Sequence, residues 1–161
     1  VLIGLSDYLL DIGRQLGATR TIHAGRQDPV AEVRRLCPDG ADVVLEMSGA
    51  AVAVHQGLEC LRYGGRFSAF GLANGPVPVD LTNQVIFKGA RILGITGRLL
   101  WDTWYQMAGL LRAGNLDFGP IVTHRLPFDD WQHGFDLLLA SDRRAAKIVL
   151  FMDEDDVGMD P

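Results

Sequence analysis

Residues 1–19 read VLIGLSDYLLDIGRQLGAT, and the fold turns on how they are parsed. Val1, Leu2 and Ile3 make a short β-type run that ends at Gly4. Ser6 is placed to cap a helix carrying Tyr8, Ile12 and Leu16, and Gly17 stops it. The stretch reads as a strand followed by a helix. Because it opens inside a strand and without a methionine, the sequence is expected to be an interior stretch of a longer protein.

The alternation continues outward from there. RTIHA (20–24) is a strand, and DPVAEVRRLC (28–37) is a helix with Asp28 as cap and Pro29 at the first helical position. ADVVLEMSG (41–49) is a strand whose unbroken Val43, Val44 and Leu45 suit burial on both faces, as in a parallel sheet. AAVAVHQGLECLRYGG (50–65) reads as a helix closed by glycine, and RFSAFGL (66–72) as the next strand. A Gly- and Pro-rich loop, 71–83, is long enough to be a working loop. Beyond it, QVIFKG (84–89) is a short helical turn, ARILGIT (90–96) a strand, and DTWYQMAGLLRAGN (102–115) an amphipathic helix with Trp104, Ala108 and Leu111 on one face. PIVTHRLPF, DDWQHGFDLLLAS and AKIVLF give strand, helix and strand. Such alternation predicts an α/β fold, an open, doubly wound parallel sheet that binds ligands beyond the carboxyl ends of its strands.

Composition narrows the function classes. At 161 residues and 48% hydrophobic, the chain can bury a core. Its net charge is −5, from 15 basic and 20 acidic residues, with several acids crowded into a tail at 153–161. No basic surface points to nucleic acid or anionic lipid, and no apolar run approaches the ~18 to 20 residues of a membrane span. Cys37 and Cys60 are read as reduced structural thiols, which suits a cytoplasmic location.

The strand ends hold the candidate chemistry. The dinucleotide fingerprint G-x-G-x-x-G does not occur in these residues. It belongs to the turn after a first strand, with a ribose-binding acid at the end of the second, so VLIG reads as the second strand of such a unit. At that position stands Gly4, which either makes the turn, admits the 2′-phosphate of NADP, or marks a site that does not bind. Ser6 and Arg14 could meet a phosphate if the fold brings them close. Glu46 is a buried general base or a strand-end carboxylate that orders the following loop. His23, His55, His124 and His133 show no metal-ligand spacing. Trp101, Trp104 and Tyr105 form either a stacking platform or a core or oligomer contact.

Taken together, VVLEMSGA (43–50), VIFKGARILGITGR (85–98), DTWYQMAGLL (102–111) and PIVTHRLPFDDWQHGFDLL (120–138) make a sequence that resembles the zinc-dependent medium-chain alcohol dehydrogenase family. Within it the likeness is strongest to the branch that oxidises L-threonine, and it runs from residue 1 to about 152. The resemblance implies a partial Rossmann domain at 1–119 that lacks its first strand and glycine-rich loop. It implies at 120–152 a segment returning to a GroES-like catalytic domain, and an acidic tail at 153–161. The implied parent is an oxidoreductase that passes a hydride from the secondary alcohol of L-threonine to NAD, or from a polyol such as sorbitol; a non-catalytic nucleotide-binding module is the other reading. Zinc ligands would all lie before Val1, so the 161 residues alone are expected to be inactive and to hold neither a metal nor a catalytic residue.

By the same resemblance, Phe70, Gly71 and Leu72 touch the nicotinamide ribose, Ile95 and Thr96 lie at the nicotinamide, and Met47 and Ser48 lie near the adenosine side. The family's ribose-binding aspartate and a nearby arginine fall on Gly4 and Leu9, which leaves NADP possible beside NAD. The partner is a small-molecule alcohol, with no nucleic acid or membrane, and a homo-oligomer is expected because ARILGIT would lie at a sheet edge where the family pairs subunits.

Overall fold

The computed structural model describes residues 1–142 and 144–158. Its residues group into two compact units, one of Val1–Arg26 with the chain from Leu100 onward, the other of Gln27–Leu99. All described strand pairs are parallel, as the α/β alternation predicts.

The first unit begins with β1 (Leu2–Gly4), α1 (Asp7–Gln15) and β2 (Thr21–His23), with Leu2 opposite Thr21 and Gly4 opposite His23. Ser6 is extended and its side chain accepts from the Leu9 N–H, so the cap forms where the sequence puts it. Leu10 and Ile12 are the buried residues of α1, whereas Tyr8 and Leu16 are exposed. The apolar stripe is therefore narrower than its sequence periodicity suggests.

In the second unit, α2 (Pro29–Leu36) starts on Asp28, whose carboxylate accepts from the Val30 and Ala31 N–H groups at 2.9 and 3.3 Å. β3 (Ala41–Glu46), α3 (Ala51–Cys60), β4 (Leu61–Ala69) and β5 (Arg91–Gly94) follow, with a π-helical turn, Leu81–Ile86, before β5. The sheet order is β3-β4-β5. Leu58, Leu61 and Phe67 are its fully buried centre, with Val44, Val54, Ala69, Val79 and Ala90 packed against them. Each such buried side chain contributes about 1.5–3 kcal/mol.

Two expectations fail here for tertiary reasons. The helix read across residues 50–65 ends at Cys60, and Leu61 already pairs with Ala41 in the sheet. Lys88 ends it: its ammonium donates to the carbonyls of Leu58, Glu59 and Leu61 at 2.6, 3.0 and 2.9 Å. Gly64, at φ +69, then takes the strand past an irregularity in register. Nor is β3 covered on both faces, since Val43 and Leu45 are exposed and only Val44 reaches the core.

The first unit closes with α4 (Asp102–Arg112), β6 (Val122–Pro127), α5 (Trp131–Leu139) and β7 (Lys147–Phe151). β6 and β7 pair in parallel. Gly134 of α5 packs where a Cβ would meet Ile148 and Leu126 at 3.5 Å, and the Arg125 guanidinium stands 4.7 Å over the Phe151 ring. The expected face of α4 is uncovered, with Trp104 and Leu111 both exposed. A 3₁₀ turn, Glu154–Gly158, occupies most of the acidic tail, and residues 159–161 lie outside the described residues. Among the described residues no helix is long and apolar enough to cross a membrane.

Candidate functional site

The carboxyl ends of β3 and β4 meet at Glu46, whose side chain orders the loop after β3 and whose backbone carbonyl reaches the end of β4. Glu46 is 5% exposed. Its Oε1 accepts from the Ser48 N–H at 2.8 Å, the Ser48 hydroxyl at 2.6 Å and the Gly49 N–H at 3.0 Å, and Oε2 lies 3.2 Å from the same Gly49 nitrogen. The Glu46 backbone carbonyl accepts from Phe70 and Gly71. Of the two roles open to it, this geometry gives Glu46 the ordering of the loop, since both oxygens are engaged by that loop.

Backbone meets backbone at this point. A Cβ on Gly71 would lie 2.0 Å from the Gly49 nitrogen and 2.6 Å from Glu46 Oε2, and one on Gly49 would lie 2.2 Å from the Leu72 carbonyl oxygen. Only glycine fits either place, and Gly49 also has φ +71. The Ile95 N–H bonds the Ala69 carbonyl, which sets β5's end beside that of β4. Met47, Ser48, Phe70, Gly71, Leu72, Ile95 and Thr96 thus all follow the ends of adjacent parallel strands. They offer amides and exposed apolar surface and no titratable side chain, which suits holding a flat ligand rather than moving protons.

A second feature belongs to the first unit. At the ends of β1 and β2 lies an open cavity of about 650 Å³, lined by Ser6, Asp7, His23, Arg26, Asp142 and Arg144 among others. Arg26 donates through both terminal nitrogens to Asp7, at 3.1 and 2.7 Å, and this holds the Asp7 carboxyl below the usual carboxylate range. Arg144 Nε lies 3.2 Å from Asp142 Oδ2. Gly4 immediately precedes the lining residues, and Leu9 sits one turn into α1, outside the lining. Ser6 does line the cavity. Arg14 does not, because its guanidinium bonds Asp11 and the Thr21 hydroxyl. Sequence reasoning missed Arg26 and Arg144, which carry no local motif and are far apart in the chain.

Among the described residues, no group of three or more His, Cys, Asp or Glu is arranged to hold a metal ion. Cys37 is exposed; Cys60 is buried, and burial pushes its thiol's pKa up.

Comparison with known proteins follows the same lines. The model of the zinc-binding dehydrogenase family matches residues 1–113. The chain is 46% identical over 149 residues to an L-threonine 3-dehydrogenase of Bacillus velezensis, covering 92% of this chain and 42% of that one. It superposes on the crystal structure of 2R,3R-butanediol dehydrogenase from Bacillus subtilis with a TM-score of 0.84 at 22% identity, covering 94% of this chain and 43% of that one. A zinc-binding dehydrogenase from Sinorhizobium meliloti, solved bound to NADP, gives a TM-score of 0.80 at 21% identity, covering 93% and 44%. The two structures show likeness of fold, and the chain spans about two fifths of the length of each of these relatives.

Proposed function

The chain belongs to the zinc-binding dehydrogenase family, and from that premise we propose that it is the cofactor-binding part of an oxidoreductase that moves a hydride from the secondary alcohol of L-threonine to NAD(P). The 46% identity to a threonine dehydrogenase across 92% of the chain carries this reading. The cradle at Gly49 and Gly71, where a Cβ would meet backbone, fits a cofactor that needs close approach to the main chain.

In this proposal Phe70, Gly71 and Leu72 hold the nicotinamide ribose, while Ile95 and Thr96 line the nicotinamide. Met47 and Ser48 serve the adenosine side, and Gly4 and Leu9 stand where the adenosine ribose would otherwise meet an acid and an arginine. A bound nicotinamide would supply the acceptor for the hydride that leaves the carbinol carbon as its hydroxyl gives up a proton. The Glu46 carboxylate orders the turn at Ser48 and Gly49 while its backbone carbonyl accepts from Phe70 and Gly71, so the cradle is formed before the cofactor arrives. The described residues offer no cluster that fits zinc.

Titration calorimetry of the chain with NAD and NADP, together with a threonine-dependent reduction assay on the product of the complete reading frame, tests the reading. Micromolar nucleotide affinity with threonine-dependent formation of reduced cofactor is expected. Absence of nucleotide binding, or reduction with a polyol and not with threonine, overturns it.

A further inference from the structure

We propose that Asn74 is a modification site: in the folded chain its side chain condenses with the Gly75 amide nitrogen to a succinimide, which water opens to aspartate and isoaspartate. The loop that leaves β4 thereby acquires a negative charge with water as the only co-reactant. The inference does not depend on the cofactor reading above.

The chemistry needs a backbone nitrogen free to reach the side chain of the residue before it, and glycine, having no Cβ, obstructs that approach least. Of the three asparagines only Asn74 precedes a glycine; Asn83 precedes Gln84 and Asn115 precedes Leu116. The fold leaves the pair open. Asn74 and Gly75 are exposed, and a Cβ on Gly75 would meet nothing within 4 Å. Among the described residues no hydrogen bond is made by any residue from Leu72 to Val79, and Pro76 and Pro78 have no N–H to make one. The loop is anchored only at its ends, where the Gly71 N–H donates to the Glu46 carbonyl at 3.1 Å and Val79 packs on the core. Between those anchors the Gly75 nitrogen is uncommitted and the backbone can turn it toward the Asn74 side chain.

Elsewhere the fold blocks the same route. Asp39–Gly40 is the one Asp-Gly pair, which could close the same ring with loss of water. There Gly40 is buried at φ +100, its N–H donates to the Cys37 carbonyl at 2.9 Å, and a Cβ would lie 2.7 Å from the Arg62 nitrogen and the Cys60 oxygen. Asn83 is held as well, since its Nδ2 donates to Asp80 Oδ2 at 2.6 Å and the Gln84 N–H is spent on the Asp80 carbonyl at 2.9 Å. At Asn74 the Gly75 nitrogen gives its proton to solvent base and attacks Cγ. The new N–C bond closes a five-membered ring as the Cγ–Nδ2 bond breaks, and Nδ2 leaves as ammonia. Water then adds to either ring carbonyl, giving aspartate at one and, at the other, isoaspartate with an extra carbon in the main chain.

The test is incubation of the 161-residue chain at neutral and at mildly alkaline pH, sampled by peptide mass spectrometry with isoaspartate-specific methylation as a second readout. A gain of about 1 Da at Asn74 is expected, about tenfold or more faster than at Asn83 or Asn115, and faster at the higher pH. The same incubation in concentrated urea supplies the reference. Asn74 should react at much the same rate folded and unfolded, whereas isoaspartate at Asp39 should form about tenfold or more faster once the fold is lost. Asn74→Gln keeps the amide but forbids the five-membered ring and should remove the signal, and Gly75→Ala should slow it. Both variants should keep the parent's circular dichroism, since these positions are exposed. An Asn74 that survives in the folded chain while reacting in urea, or that reacts no faster than Asn83 and Asn115, overturns the assignment, as does a side chain that stays intact in both states.

Discussion

A carboxylate enclosed at a strand end is tolerable only while its neighbours donate to it, and Glu46 is such a group. Glu46→Ala would leave the Ser48 and Gly49 N–H groups without their acceptor, which costs about 2–3 kcal/mol of stability by the usual penalty for unsatisfied donors. Urea unfolding of the variant measures this, and a midpoint equal to the parent's would refute the clamp. Gly71→Ala should act through sterics instead, because its Cβ would strike the Gly49 nitrogen, whereas Gly75 has nothing within 4 Å. Gly71→Ala is expected to lose about 1–3 kcal/mol and most nucleotide affinity, with Gly75→Ala close to neutral on both counts. Equal behaviour of the two alanine variants would argue against a backbone cradle. The sequence showed Glu46 as a choice between two roles and could not decide it, because the deciding bonds from Ser48 and Gly49 need the turn at Gly49, φ +71, whose close approach to Leu72 exists only once the sheet has formed.

At the scale of elements, local signals were legible and distant ones were not. Ser6 and Asp28 cap their helices as their positions foretell, since a cap needs only the next three residues. The end of α3 was misread because what stops that helix is Lys88, 27 to 30 residues further along. Its ammonium sits on the carbonyls that a helix leaves unpaired, and the cation also complements the negative end of the dipole. Lys88→Met keeps the aliphatic stem and removes all three bonds. It is expected to cost about 1–3 kcal/mol, and amide exchange should quicken at the last turn of α3 and at Leu61 before it does elsewhere in the sheet. Unaltered exchange there would mean that burial of Leu61 alone fixes the boundary.

For the molecule as a whole, parallel pairing and its layering with helices were readable from alternation, but coverage was not, because which faces are buried depends on what packs across the strands. Two consequences are measurable. Asp7, Asp42 and Asp80 all titrate below the ordinary value of 3.8, chiefly through hydrogen bonds from Arg26, Arg62 and Asn83 respectively. Carboxyls lowered in this way stabilise the fold above 3.8, and their contribution is lost as the pH falls through the lowered values. The melting temperature should therefore drop on the acid side of that value, less steeply in a variant with asparagine at all three positions, and identical acid limbs would exclude these groups. The second concerns α4, none of whose described residues is buried while Trp104, Tyr105, Met107, Leu110 and Leu111 are all exposed. An apolar helix face left in water is a surface that associates. The chain at high concentration should sediment as a species heavier than the monomer and bind a hydrophobic dye, and the double variant Trp104→Gln, Leu111→Gln should weaken both while the circular dichroism holds. A parent chain that stays monomeric and dye-free across the concentration range would mean that this face is covered in solution by the chain's own residues.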